Sequence, residues 1–257
     1  MRIDLHAHST ASDGTCTPAE LVTAAADAGL DVVAITDHDT TAGWAAAEAA
    51  LPAGLTLVRG AELSCRWYGT EPPIALHLLA YLFDPADVAL SAELARVRQA
   101  REHRAERMVE LLRADGIDVT WDEIRGYAAG GTVGRPHLAH ALIARGLVNT
   151  VTEAFAPQWL GQRYRLPKAD IDVFKALELI RSAGGVPVFA HPRASVRGRI
   201  VPDSLIVELA AELGLLVTGS SDFHGENKPI PLGAQLTAPQ AYHRIVETAR
   251  GLAPIIG

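Results

Sequence analysis

One arrangement recurs along this chain, a short apolar run that closes on histidine or a carboxylate. It opens the sequence, where Asp4-Leu5-His6-Ala7-His8 sets two histidines at i and i+2. Alternate side chains of a β-strand share a face, so both imidazoles point the same way, which suits a metal ion. The run at 31–36 ends in Asp37-His38-Asp39, that at 55–61 runs into Glu62, and that at 74–82 holds His77 within it. Further on, 186–190 ends in His191-Pro192 and 215–220 in Asp222-Phe223-His224, where Asp222 and His224 repeat the opening spacing. Nearly continuous apolar runs such as 31–36 are those expected of parallel strands covered on both faces.

Helical segments separate these runs. Pro18 opens an amphipathic helix that ends near Gly29, with Thr17 as its N-cap, and a helix of small residues covers 42–51. From Pro85 the period changes. Residues 91–114 are strongly helical, with Leu94, Val97, Met108, Leu111 and Leu112 marking a buried side and arginines at 96, 98, 101, 104 and 107. Those arginines alternate with Glu93, Glu102, Glu106 and Glu110, so a solvated face is expected rather than a nucleic-acid track. Gly116 stops this helix, Asp122 begins a short one, and Gly134-Arg135-Pro136-His137 starts a third that ends near Gly146. A helix from Pro167 to Ala183 returns the chain to the strand at 186–190, and a last helix is expected over 202–213. The expected organisation is a metal-binding β/α barrel from 1–84 and 184–257, with a helical insertion at 85–183 covering the active site.

Alternating strands and helices describe a parallel β/α barrel or a doubly wound sheet. Five or six consecutive strand ends carry His, Asp or Glu, which favours the barrel, because its site gathers from many strand ends while a doubly wound sheet uses mainly one crevice. Six strands are countable. The 257 residues, 49% of them hydrophobic, suffice for a sizeable core. No apolar run approaches the roughly 20 residues that cross a bilayer, and no basic segment followed by a long apolar one opens the chain, so a cytoplasmic protein is expected. Cys16 and Cys65 are too few for a disulfide framework and read as reduced structural thiols. The net charge of −7 argues against a surface that coats nucleic acid, and bound divalent metals would offset part of it.

The candidate metal ligands are His6, His8, Asp13, His38, Glu62, His77, His191, Asp222 and His224. A single zinc takes about four ligands, so this set suggests two or three metals, bridged by a carboxylate such as Glu62. Imidazole and carboxylate without thiolate fit Zn, Mn or Fe. Asp37 and His38 are adjacent and would face opposite ways on a continuous strand, which makes His38 the ligand and Asp37 a supporting partner or proton carrier. Alone, His77 would read as a hydrogen-bonded core histidine and Asp13 as a turn aspartate before Gly14. His103, His140 and His243 have no strand-end placement and read as surface or helix residues.

The series His-Ala-His-Ser with Asp13 after it, Thr36-Asp37-His38, Gly60-Ala61-Glu62, Leu76-His77-Leu78, Gly134-Arg135-Pro136-His137, Ala190-His191-Pro192 and Ser220-Ser221-Asp222-Phe223-His224-Gly225 resembles the PHP (polymerase and histidinol phosphatase) phosphoesterases over nearly the whole chain. Within that family it is most similar to the stand-alone bacterial branch of trinuclear nucleoside 3′,5′-bisphosphate phosphatases and exonucleases of short RNA. The resemblance implies an α/β fold, a distorted seven-stranded β/α barrel. It implies one metal held by His6, His8, Glu62 and Asp222, a second by Glu62, His77 and His191, and a third by Asp13, His38 and His224. Only 30 residues separate His191 from Asp222, room for one helix and one strand where a seven-stranded barrel has a further unit.

A metal-bound water has its pKa lowered to about 7, so a hydroxide bridging two metals is the expected nucleophile on phosphorus. Glu62, His191 and Asp37 form the expected catalytic set. Arg135 and His137 resemble the family's phosphate-contacting pair, and a helix starting at Pro136 directs free N–H groups at an anion. Arg193 is a further candidate for the pocket. The expected activity is a metal-dependent phosphatase acting on a small nucleotide such as a 3′,5′-bisphosphate. A 5′ to 3′ exoribonuclease on short RNA, a histidinol-phosphate-type phosphatase and a metal-stabilised, non-catalytic nucleotide-binding domain are the alternatives. No stable protein partner is expected, and the chain reads as a monomer.

Overall fold

The computed structural model describes residues 1–69, 71–191, 215–216 and 218–257. The helix expected over 202–213, and Arg193, lie outside the described residues.

Apolar alternation builds the sheet. In the strand Val32–Ile35 (β2), Val33 and Ile35 enter one hydrophobic cluster while Val32 and Ala34 enter another, as the two-residue period of a strand requires. The strand Ile3–Asp4 (β1) pairs with β2 in parallel, and β2 pairs in parallel with Thr56–Trp67 (β3). The direction then reverses. Ile74–Tyr81 (β4) runs antiparallel to β3, with Ser64 opposite His77. The order β1-β2-β3-β4 ends on Val186–Phe189 (β6), also antiparallel to β4. The sheet is therefore mixed and curled rather than parallel throughout. Two short strands complete it, Ile171–Asp172 (β5) beside the far half of β3 and Ile255–Ile256 (β7) beside its start. Of the run expected as the last strand, the described residues 215–216 and 218–220 hold one bridge, at Leu216, and a second follows at Phe223. Leu216 touches Val188, and Phe223 touches Ala7, so this segment meets both β6 and the β1 end of the sheet.

Helix Pro18–Asp27 (α1) begins as expected. Thr17 accepts the Glu20 N–H while Glu20 accepts the Thr17 N–H, a capping box with proline in the first turn. Helices α1, Trp44–Ala49 (α2) and Val173–Ser182 (α7) pack on one face of the sheet through Leu21, Trp44, Leu177 and Ile180. Pro239–Thr248 (α8) covers the other through Tyr242 and Ile245. A separate core forms between the second half of Val88–Ala114 (α3) and the helices Trp121–Ala128 (α4), Arg135–Ala144 (α5) and Val151–Ala154 (α6), with Met108, Leu112, Ile124, Leu138 and Leu160 at its centre. The segment expected as one helix from Pro167 to Ala183 is instead β5 followed by α7, and both pack into the sheet's core rather than into this one.

The buried stripe of α3 is Leu94, Val97, Arg101, Ala105, Met108 and Leu112, whereas Leu111 is exposed. Arg101 thus occupies a core-facing position and Arg104 lines a cleft, which corrects the expectation of a fully solvated arginine face. Cys16 and Cys65 are free thiols. Among the described residues no helix is long and apolar enough to cross a membrane.

Candidate metal centre and cleft

The strand ends meet at Glu62, which is 1% exposed at the point where β3 passes His38. Its Oε2 lies 3.1 Å from His6 Nε2, 3.0 Å from His8 Nε2 and 3.4 Å from His38 Nδ1. Its Oε1 lies 2.7 Å from His77 Nδ1 and 2.9 Å from His191 Nε2. The reversal of β4 explains His77. In an antiparallel strand the residue opposite Ser64 sits at the end of the sheet where the parallel strands finish, so a histidine within its strand still reaches the site.

Three overlapping groups of side chains could each hold an ion. His6, His8, Glu62 and Asp222 form one, His38, Glu62 and His77 a second, and His8, Asp13, His38 and His224 a third. The structure brings all nine expected ligands together. His191 joins the second group through the Glu62 oxygen that it shares with His77. Asp13 Oδ1 is 3.4 Å from His224 Nε2, and Asp222 Oδ1 is 3.3 Å from His6 Nε2.

Local backbone aims these groups. Asp222 and His191 have φ of 54° and 30°, conformations that L-residues avoid and that cluster where side chains must be held for function. Asp4 anchors the segment from behind, accepting the Ser221 N–H and the Gly233 N–H. Asp37 accepts the Ser9 N–H, the Ser9 hydroxyl and the Ser12 hydroxyl, and Ser12 Oγ lies 3.4 Å from His8 Nδ1.

The electrostatics suit divalent cations. Burial works to raise the Glu62 carboxyl, but the facing His38, His77, His6 and His191 outweigh it and hold it well below the usual range. Asp13 is held well below in the same way by His38, His224 and His8. Burial pushes His6, His38 and His77 below the ordinary histidine value, so they stand neutral with lone pairs free. His8 differs, since its hydrogen bonds to Asp222 and Glu62 overcome burial and raise it to about 10. Two imidazole nitrogens, His6 Nε2 and His8 Nε2, face each other at 3.0 Å, and His38 Nδ1 and Asp222 Oδ1 are buried without a hydrogen bond. Crowded imidazole nitrogens and orphaned donors of N and O type are what metal coordination would satisfy, so the residues present fit the group.

A cleft of about 370 Å³ opens beside this centre, and Asp13, His38, His77 and His224 form part of its lining. Arg135 lines it too, with its guanidinium 4.7 Å from the Phe155 ring centre and Nη1 donating to the Leu160 carbonyl. His137 is not among the lining residues. It is buried, and its Nδ1 accepts the Gly134 N–H at the start of α5. Sequence reasoning missed Arg101, Arg104, Lys168 and Lys228, which also line the cleft. The first two were legible in principle, because Val97, Arg101, Arg104 and Met108 follow the three- and four-residue spacing of a buried helical stripe. Lys168 and Lys228 carry no such signal.

A curled α/β sheet that gathers six histidines and three carboxylates at one end, next to a cationic cleft, defines a metal-dependent hydrolase of phosphate esters. The PHP domain model matches residues 4–118. A 5′-3′ exoribonuclease of Haemophilus influenzae is 38% identical over 82% of this chain and 76% of its own length. A 3′,5′-nucleoside bisphosphate phosphatase of Chromobacterium violaceum is 34% identical over 86% of this chain and 78% of its own. A solved structure described as a metal-dependent phosphoesterase of Bifidobacterium adolescentis superimposes with a TM-score of 0.84 at 34% identity, covering 96% of each chain. The chain belongs to the PHP-domain phosphoesterase family, and it is a hydrolase.

Proposed function

We propose that this phosphoesterase hydrolyses a phosphate monoester of a small nucleotide, such as a nucleoside 3′,5′-bisphosphate. The observation that carries the reading is the shared cleft, in which candidate metal ligands and buried or half-buried cations line one volume of nucleotide size. His6, His8, Glu62 and Asp222 would hold one ion, Glu62, His77 and His191 a second, and Asp13, His38 and His224 a third, with Mn, Zn or Fe suited to these donors. Bound divalent ions supply an activated water and neutralise charge on the phosphoryl oxygens.

The chain's own residues do the rest. Glu62 draws five histidines onto its two oxygens and fixes their separation. His191, which follows β6 and meets the Glu62 oxygen that His77 also meets, contacts the reacting phosphoryl group in this reading. Asp37 holds the Ser9–Ser12 turn and, through Ser12, orients His8, the supporting role of the two open to it. Arg135 supplies a planar donor fork to the substrate phosphate. The helical insertion within 85–183 covers the site, since α3, α5 and α6 contribute Arg101, Arg135 and Val151 to the cleft wall. His137 supports the start of α5 beneath Arg135. The protein acts as a monomer in the cytoplasm.

The resemblance to an exoribonuclease favours one second reading, the 5′ to 3′ hydrolysis of short RNA by the same centre. The test is phosphate release from adenosine 3′,5′-bisphosphate by manganese-loaded protein, with the 5′-phosphorylated dinucleotide pApA and histidinol phosphate in parallel. Preference for the bisphosphate is expected. Release of adenosine 5′-monophosphate from pApA with no turnover of the bisphosphate would replace the first reading by the second. Asp13→Ala and His191→Ala are each expected to abolish turnover in a folded protein, and full activity in either would remove that residue from the centre.

A further inference from the structure

Three successive residues of the loop that carries Asp13 are held from the helical insertion. The Thr132 N–H donates to the Ala11 carbonyl at 2.8 Å, and His137 hydrogen-bonds the Ser12 backbone. Asp13 itself is reached through Asn227. Asn227 Nδ2 donates to the Asp13 carbonyl at 2.8 Å, while Asn227 Oδ1 lies 3.0 Å from His140 Nε2 on α5. A carbonyl can only accept, so the amide nitrogen faces Asp13, the amide oxygen faces His140, and His140 Nε2 carries the proton. His140 is half-buried, with its ring centre 5.9 Å from that of Tyr127 on α4, so both helices of the insertion stand behind this donor.

Asn227 belongs to the turn that follows His224, and that turn also meets the Asp13 loop directly. The Thr15 N–H donates to the His224 carbonyl at 3.3 Å, and Thr15 Oγ1 accepts the Glu226 N–H at 2.9 Å. Gly225 allows the approach, because its φ is 62° and a Cβ there would collide with Thr15 Oγ1. The two loops that supply Asp13 and His224 to the third group are thus tied to each other and, through Asn227 and His140, to α5. The first group is anchored differently. Glu62 belongs to β3, and Asp4 of β1 accepts the Ser221 N–H just before Asp222.

We propose that His140 and Asn227 are positioning residues for the third metal group, so that an ion held by Asp13, His38 and His224 requires α5 of the insertion to be docked, while the first group loads without it. This inference rests on the three-ion reading above and adds to it what the insertion does for the metal centre.

The test is equilibrium dialysis of chelator-treated protein against manganese, with bound metal counted by mass spectrometry, for wild type, His140→Ala, His140→Gln, Asn227→Ala and Asp13→Ala. Removing a partner that orients a metal ligand costs about 10–100-fold in metal affinity. His140→Ala and Asn227→Ala should therefore each weaken one ion, the one that Asp13→Ala removes, by at least about tenfold and leave the others within about twofold. Glutamine offers an amide N–H near the place of Nε2, so His140→Gln should return to within about threefold of wild type. Combining His140→Ala with Asp13→Ala should lose nothing beyond Asp13→Ala alone. Thermal melting checks that each variant is folded, and Asn227→Ala, in a half-buried turn, decides the matter if His140→Ala does not fold. Unchanged manganese affinity in the alanine variants, equal weakening of every ion, or a His140→Gln protein as weak as His140→Ala would overturn the positioning role. A wild type from which Asp13→Ala removes no ion would instead sink the three-ion reading, and the inference with it.

Discussion

Arg101 and Arg104 lie one helical turn apart on α3, and they should respond in opposite ways to removal. Asp39 is fully buried; its Oδ1 accepts the Ser64 N–H at 2.8 Å and its Oδ2 the Arg101 Nε at 2.7 Å, while Arg101 Nη2 also reaches Ser64 Oγ at 2.6 Å. Arg101→Met keeps the aliphatic stem and leaves the Asp39 carboxylate buried without its counter-charge. Breaking a buried pair from one side costs about 3–5 kcal/mol. For a chain of this size each kcal/mol moves Tm by about 2–4 °C, so a fall of roughly 6–20 °C is expected. Arg104→Gln removes a guanidinium that has no ion-pair partner among the described residues and is pushed on by Arg101 and Arg135, so its Tm should change by no more than about 2 °C. Differential scanning calorimetry on chelator-treated protein reads both values without metal binding masking them. Adding Asp39→Asn to Arg101→Met removes the stranded charge, and the double variant should recover at least about 1 kcal/mol relative to Arg101→Met alone. An Arg101→Met protein melting within 2 °C of wild type by the same yardstick, or one no less stable than Arg104→Gln, would refute this account of the Asp39 network.

Other consequences can be checked independently. Tyr81 is buried and donates its hydroxyl to the Leu5 carbonyl at 2.6 Å, so Tyr81→Phe should cost about 1 kcal/mol in urea unfolding, and no loss would mean that this bond is not made. Manganese at about 100 times its Kd should stabilise the chelator-treated protein by about 2.7 kcal/mol, and an unchanged Tm would argue against a metal centre built from Glu62 and its histidines. Lys168 is lowered to about 8 in the folded protein from an unfolded value near 10.5, so the unfolded state binds more protons between those limits. Its burial therefore weakens the fold below pH 8, and that penalty fades as pH rises to about 10.5. Lys168→Met should flatten the alkaline rise in stability, and an identical pH profile would show that the lysine is not desolvated.

The sequence by itself determined the ligand chemistry and much of its placement. A strand's two-residue period is local, so His6 and His8 must share a face, and the types and strand-end positions of Asp13, His38, Glu62, Asp222 and His224 were legible before any pairing was known. The Thr17 cap was legible for the same reason, since its partners lie within one turn. What the tertiary structure decided depends on which distant segments pair and in which direction. The reversal of β4 carries His77 to the shared end of the sheet, and the pairing of β3 with its neighbours makes Glu62 the meeting point of histidines up to 129 residues away. Helical spacing could mark Arg101 and Arg104 as inward-facing, but only the packing of α3 against the sheet distinguishes the arginine neutralised by Asp39 from the one left facing the cleft. Charge along a sequence records how many cations a helix carries. Which of them keep a counter-charge is settled by the carboxylates that folding brings within reach.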